Sequence, residues 1–399
     1  MFSFLPEYSG SNLQIIVHFS HLNFITMNAI VLIIRVLVGT LFIFSGLIKL
    51  NDPVGTGIKL EEYFEVFGTT FLIPASLFFA VFLSALEVVL GVALLTRYQM
   101  KRLIWVLLVL IIFFTILTGY SHFLNVVTDC GCFGDAIKLT PKQSFIKDII
   151  LLFMISILFF KRNAFKELLT EKAGFVVFTA SCVISLFIAI YAIRHLPFID
   201  FRPYKVGSNI PELMEIPTLN LKYRYIFEKD GKSYEFDSWQ NDTTYQYKEM
   251  LTLNEDGKVL SQGELDKMSQ PKITDYSVRN DEGDFTQATF EGKKLLIVIN
   301  DVDKTNTKNI EKIVALVKHL EGMGIEPMVL TSTDEPAYDV FRHEVQLAVP
   351  YYFSDATVLK TMVRSNPGLI LMQNGTVIGK WHYNDVPDVE EIKNTDYTD

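Results

Sequence analysis

Residues 28–48 read NAIVLIIRVLVGTLFIFSGLI, twenty-one residues in which Arg35 is the single charge. Roughly 20 consecutive apolar residues are what a helix needs to cross the hydrocarbon core of a bilayer. Four further runs of the same kind follow, approximately Phe71–Leu95, Leu103–Phe123, Phe145–Phe160 and Phe175–Ile193. The fourth is the shortest and carries Lys147 and Asp148 near its start. A buried helix of a soluble protein accounts for any one of these runs. Five in succession, separated by short polar loops, predict an α-helical polytopic membrane domain.

Lys and Arg in the short loops set the expected orientation. The second connection holds Arg97, Lys101 and Arg102, and the fourth Lys161, Arg162, Lys166 and Lys172, so both are expected in the cytoplasm. The first connection sets Asp52, Glu61, Glu62 and Glu65 against Lys59. The third sets Asp129 and Asp135 against Lys138 and Lys142. Alternation then places the N-terminus inside, and the 128–135 loop and everything after about residue 196 outside, which is the periplasm for a bacterial inner membrane. Residues 1–26 lack a basic n-region and a small-residue cleavage site and make a poor signal peptide. Met27 is an alternative start that would leave 1–26 as a non-native N-terminal extension before a membrane domain over 27–196.

Composition changes after the fifth run. Residues 200–399 carry a net charge of −12, whereas the first 199 carry +3. An acidic tethered domain repels nucleic acid and anionic lipid, and neither is expected as its partner. Residues 200–270 form a β-rich connecting segment in which Tyr223–Glu228, an Asp230-Gly231 turn and Ser233–Phe236 predict a hairpin. Residues 272–399 alternate in type, predicting a soluble α/β domain. Strands are expected at Leu295–Asn300, Pro327–Thr331 and Pro350–Phe353, and helices at Asn306–Gly322, Asp334–Val345 and Ala356–Arg364. A last hairpin, Leu369–Met372 with Thr376–Trp381, turns at Asn374-Gly375.

This order resembles the thioredoxin-like fold of peroxiredoxin and TlpA-type domains. Ile273–Val278, Asp281-Glu282-Gly283 and Gly292-Lys293 look like its entry, and Ser365-Asn366-Pro367-Gly368 resembles the loop that holds its cis proline, with Pro367 the candidate. In one respect the sequence departs from the family. The redox cysteine pair belongs near Asp301–Thr307, which reads DVDKTNT, and no cysteine follows Cys182. The resemblance therefore implies a domain that binds, shields or positions something and performs no thiol exchange of its own.

The chemistry available lies between the third and fourth runs, in Thr128–Asp135, TDCGCFGD. Cys130 and Cys132 can form a redox-active pair or a permanent local staple. In an oxidising compartment close thiols tend to end as a disulfide, and a tight ring is easily reduced. Two Cys with one nearby His122 fall short of the four ligands of a structural zinc, so no metal is expected. His122 is a weaker candidate for assisting a thiolate. Cys182, inside the fifth run, reads as packing.

Ionisable residues within the spans are costly unless paired or functional. Arg35 and Glu87 lie about 10 Å and about 12 Å from the same face at 1.5 Å per residue, which predicts an Arg35–Glu87 pair. The same reasoning couples Lys49 with Asp148. These pairs either fix helix packing or line a polar pocket for proton transfer or a quinone head group.

The run Phe44-Ser45-Gly46-Leu47-Ile48-Lys49-Leu50-Asn51-Asp52-Pro53, Glu87 followed by Gly91, and Asp-Cys-Gly-Cys-Phe-Gly-Asp over 129–135 together resemble the DoxX-like, MauE-type membrane proteins over roughly 28–195. MauE is implicated in maturing methylamine dehydrogenase, and DoxX relatives in quinol oxidation and redox homeostasis. The resemblance implies a redox-associated membrane role for Cys130 and Cys132, without implying the methylamine pathway. Three functions follow. The first is oxidative maturation of exported client proteins, with a quinone as acceptor. The second is a non-enzymatic scaffold whose outer domain binds a partner, and the third a DoxX-like quinol-linked oxidoreductase subunit.

Overall fold

The computed structural model describes residues 10–124, 126–127, 131–165, 167–320 and 322–395; of 10–28, 164 and 267 it describes the backbone alone. The chain divides into two compact units, Met1–Phe201 and Arg202–Asp399.

In the first unit the helices are α1 (Gly10–Asn51), α2 (Pro53–Val66), α3 (Ser76–Thr96), α4 (Met100–Leu124), α5 (Pro141–Lys161) and α6 (Glu171–Arg194). Among the described residues, five helical segments are long and apolar enough to cross a membrane: Ala29–Asn51, Thr70–Thr96, Met100–Leu124, Pro141–Lys161 and Glu171–Arg194. Their outer faces stay apolar. Ile116, Phe153, Val183 and Phe187 are exposed, as lipid-facing side chains are and as those of a water-soluble bundle are not. The hydroxyls of Thr96, Thr115, Thr118, Ser121 and Ser156 donate back to carbonyls of their own helices, which satisfies them where water is absent. The chain is a membrane protein.

α1 and α3 run antiparallel and touch through glycine. A Cβ on Gly46 would stand 2.6 Å from the Ser84 carbonyl oxygen, and one on Gly91 would stand 2.7 Å from that of Gly39. Small residues let the two backbones approach this closely. α2 occupies the first connection, where hydropathy alone predicts a polar loop. Asp52 caps it, accepting from Gly55 N at 2.8 Å, and Pro53 sits at its first turn. α5 begins with a capping box between Thr140 and Gln143, which extends it four residues earlier than its apolar run.

The second unit opens with α7 (Ile210–Met214) and a four-stranded antiparallel sheet of β1 (Lys222–Lys229), β2 (Lys232–Phe236), β3 (Gln246–Leu253) and β4 (Val259–Leu260), ordered β2-β1-β3-β4. The predicted hairpin is β1–β2. Asp230 and Gly231, at φ 52 and 71, form its turn. After α8 (Gln262–Met268) come β5 (Arg279–Asn280), β6 (Gly283–Asp284), β7 (Lys293–Ile299), α9 (Ile310–Leu320) and β8 (Ile325–Thr331). α10 (Glu335–Glu344), β9 (Tyr351–Phe353), α11 (Ala356–Met362), β10 (Gly368–Gln373), β11 (Thr376–His382) and α12 (Val389–Asn394) complete the chain. The second sheet has the order β11-β10-β7-β8-β9-β5-β6, with β7, β8 and β9 mutually parallel and β10 and β11 antiparallel to their neighbours. Leu295 to Ile299 is buried throughout, the continuous apolar strand of a sheet covered on both faces. This is a soluble α/β domain.

Candidate functional site

The polar residues of the spans converge on one cavity of about 80 Å³ in the first unit, room for a few waters. Its wall is mostly apolar, from Leu41, Phe42, Leu83, Ile111, Phe114 and Leu151. Set into that wall are Ser45, Lys49, Lys59, Tyr63, Glu87, Thr118, Cys132, Lys147 and Asp148. Of the cysteine pair, Cys130 lies outside the described residues, and Cys132 is a lining residue, half-buried.

Cys132 is held there by a turn. The Gly134 amide donates to the Gly131 carbonyl at 3.1 Å, leaving Cys132 and Phe133 at the turn's two central positions. Phe133 is buried, its ring 5.7 Å from that of Phe44, and anchors the loop on α1. Gly131 has φ +63, and a Cβ on it would come within 3.3 Å of Lys59 Cγ. Gly131→Ala is expected to destabilise the loop by about 1–2 kcal/mol, the cost of a left-handed alanine. A lowered melting temperature in detergent checks this, and an unchanged one contradicts it.

Two ion pairs face the cavity, and neither is the one equal depth predicts. Lys49 Nζ meets Glu87 Oε1 at 2.6 Å. Lys147 Nζ meets Asp148 Oδ1 at 2.6 Å, and Thr118 Oγ1 donates to Asp148 Oδ2 at 3.0 Å. Lys49 makes its second contact with the Phe114 ring, 5.5 Å away, rather than with Asp148. Arg35 does not reach Glu87; its Nη1 donates to the carbonyls of Leu94 and Leu95 at 3.2 and 2.7 Å. Side-chain direction explains both corrections. Helical side chains lean toward their own helix N-terminus. Lys49 therefore leans back along α1 and Glu87 back along α3, and because the helices are antiparallel the two converge. Arg35 leans the same way as Lys49, toward the α1 N-terminus, and this carries it past Glu87 to the C-terminal end of α3, whose last carbonyls carry partial negative charge.

Ser45 ties the thiol loop to this charge pair. Its Oγ lies 2.9 Å from Glu87 Oε2 and 3.0 Å from the Cys132 carbonyl oxygen. A hydroxyl has one proton, so Ser45 donates to one acceptor at a time and can switch between them. Lys147 lines the same cavity as Cys132, and its Nζ sits 5.5 Å from the ring of Phe133, the next residue along the loop. The cavity thus offers a thiol, two ammonium–carboxylate pairs and a switching hydroxyl inside apolar walls.

Other candidates fall elsewhere. The His122 ring packs on Phe123 and Phe145, and His122 is not among the cavity's lining residues. Cys182 is half-buried in α6. In the second unit the Asn366–Pro367 peptide is cis. Asn366 accepts from the Asn300 amide at 3.0 Å and donates to the Asp301 carbonyl at 2.7 Å, so the Pro367 loop abuts the cysteine-free Asp301–Thr307 stretch. Sequence reasoning passes over Ser45, Lys59, Tyr63 and Thr118. The direction of side chains along antiparallel helices is the signal that finds Ser45, one turn before Lys49 and facing Glu87.

Residues 27–161 match the family described as "Methylamine utilisation protein MauE". Every residue lining the cavity falls inside that segment, whereas α6 and the second unit fall outside it. "Protein TlpB" of Flavobacterium psychrophilum is 28% identical over 163 residues, 39% of this chain and 43% of that protein. The chain thus spans under half the length of this curated relative.

Proposed function

From a membrane domain similar to MauE across all of its cavity residues, we propose that the protein oxidises thiols of exported proteins through Cys130 and Cys132. Cys132 carries this reading, a thiol lining a polar cavity inside apolar helices. In the forward step the Cys130–Cys132 disulfide accepts two electrons and two protons from a client dithiol through a mixed disulfide on Cys130. The client leaves as a disulfide and the pair as two thiols. A membrane quinone approaching the cavity from the lipid takes the two electrons and two protons back and leaves as quinol, restoring the disulfide. The Lys49 and Lys147 ammonium groups, paired with Glu87 and Asp148 in the cavity wall, are the cations this reading assigns to the reduced quinone oxygen.

The basic loops support an orientation with the N-terminus inside and the Cys132 loop and second unit in the periplasm. The strand order of the second unit and its cis Asn366–Pro367 support a thioredoxin-like reading, and its lack of cysteine supports a client-holding role.

Cys132→Ala is expected to accumulate a mixed disulfide on Cys130, because the resolving thiol is gone, and the double alanine variant should leave clients reduced. Normal client oxidation in the double variant would sink the proposal. Lys147→Met, which removes the cation paired with Asp148, is expected to slow client-thiol oxidation about a hundredfold, the scale of one electrostatic donor. An unchanged rate removes Lys147 from the mechanism. An impermeant maleimide applied to intact cells after reduction tests the orientation; labelling of the pair only after lysis overturns it.

A further inference from the structure

At the far end of α3 the structure concentrates positive charge that no carboxylate among the described residues matches. Arg35 is 5% exposed, and its Nε has no hydrogen-bond partner. Arg97 follows the last residue of α3, and its Nε is likewise buried and without a partner. Arg35 Nη1 reaches the Leu95 carbonyl at 2.7 Å, two residues before Arg97, so both guanidinium groups belong to the same helix end. Among the described residues no carboxylate pairs with either; Arg35 has the Leu94 and Leu95 carbonyls alone. Glu167 and Glu171 belong to the same end of the domain, and neither makes an ion pair with them.

Two like charges in a low-dielectric wall repel, and carbonyl dipoles offset only part of that. A neighbouring anion that accepts from both forks removes the repulsion. The local backbone suits the same ligand. α4 starts at Met100, three residues beyond Arg97, so its positive end opens at this turn, although the Arg102 and Leu103 amides already donate to the Gln99 carbonyl. Lys101 and Arg102 are exposed on the first turn of α4. The surroundings are apolar: Leu32, about one turn before Arg35, is exposed.

We propose that the phosphate of an anionic phospholipid head group binds between Arg35 and Arg97, where α3 ends and α4 begins. The site is separate from the Cys132 cavity and stands whether or not the thiol reading holds. Free phosphate shares the chemistry, but the exposed Leu32 on the Arg35 side of α1 provides a bed for an acyl chain.

The test uses the full-length protein in neutral detergent, titrated with phosphatidylglycerol, phosphatidylcholine or inorganic phosphate. Thermal melting and native mass spectrometry are the readouts. Phosphatidylglycerol is expected to raise the melting temperature and to remain bound at one molecule per chain, while phosphatidylcholine and phosphate do neither. Arg97→Gln should weaken the phosphatidylglycerol effect about fivefold, and Lys138→Gln, in another loop, should leave it unchanged. Arg35→Lys keeps the charge and loses the fork, so it should fold and bind more weakly. Equal stabilisation by phosphatidylcholine or by inorganic phosphate overturns the lipid site, as does an Arg97→Gln variant that binds phosphatidylglycerol as the wild type does.

Discussion

Glu87→Leu is expected to cost about 3–5 kcal/mol of stability, the cost of leaving one member of a buried ion pair alone. Glu87 is 3% exposed and its carboxylate has two partners, Lys49 and Ser45. The substitution leaves the Lys49 ammonium facing an apolar wall, with the Phe114 ring as its remaining described contact. The double variant Lys49→Met/Glu87→Leu should recover most of the loss, because both desolvated charges are then absent. Denaturant or thermal melts of the four proteins in one detergent measure the coupling. Additive losses would show that the pair does not act as a unit. The double variant is also expected to lose thiol oxidation despite its recovered stability, which separates a packing role from a chemical one.

The second large effect is expected at Gly46. A Cβ there stands 2.6 Å from the Ser84 carbonyl oxygen and 2.9 Å from the Val88 amide, both backbone atoms that cannot swing aside. Gly46→Val must push α1 away from α3, at a cost of about 3 kcal/mol, the upper end for overpacking. The separation also pulls Ser45 from the Cys132 carbonyl and Lys49 from Glu87, so the thiol loop loses its tether along with the helix pair. The expected readouts are a melting temperature well below that of wild type and faster alkylation of Cys132 as the loop loosens. A variant that melts like the wild type would mean that α1 and α3 are not packed through this glycine. Gly263→Ala is the control, since nothing lies within 4 Å of a Cβ at that position and its backbone is helical.

The membrane spans are legible in the sequence because bilayer thickness fixes helix length, and a nearly charge-free apolar run such as 28–48 matches that length. β7 and the Asp230-Gly231 hairpin are legible for similar reasons, one by continuous burial and one by turn chemistry. β3, β4 and α8 are not. Residues 246–253 alternate weakly, and their pairing with β1 is set by long-range contact rather than by local pattern. α2 escapes a hydropathy reading because Pro53 and Gly55 resemble loop residues, although Pro at a first turn and an Asp cap are helix starts as well.

The site is half legible. Charges inside an apolar run announce themselves, and Lys49, Glu87, Asp148 and Cys132 all line the cavity. Their pairing does not follow from depth alone, because depth counts Cα positions whereas a lysine or arginine acts several ångströms away, toward its helix N-terminus. Arg35 shows the cost of that omission: matched to Glu87 by depth, it belongs instead to the end of α3.

The most direct test of the relay is the redox state of Cys130 and Cys132 in growing cells, fixed by rapid acid quenching and read by alkylation mass shift. A thiol–disulfide relay predicts a mixture of both states that moves toward the dithiol when the quinone pool is held reduced and toward the disulfide when it is oxidised. A pair that stays fully disulfide, or fully thiol, whatever the state of the pool would contradict the relay.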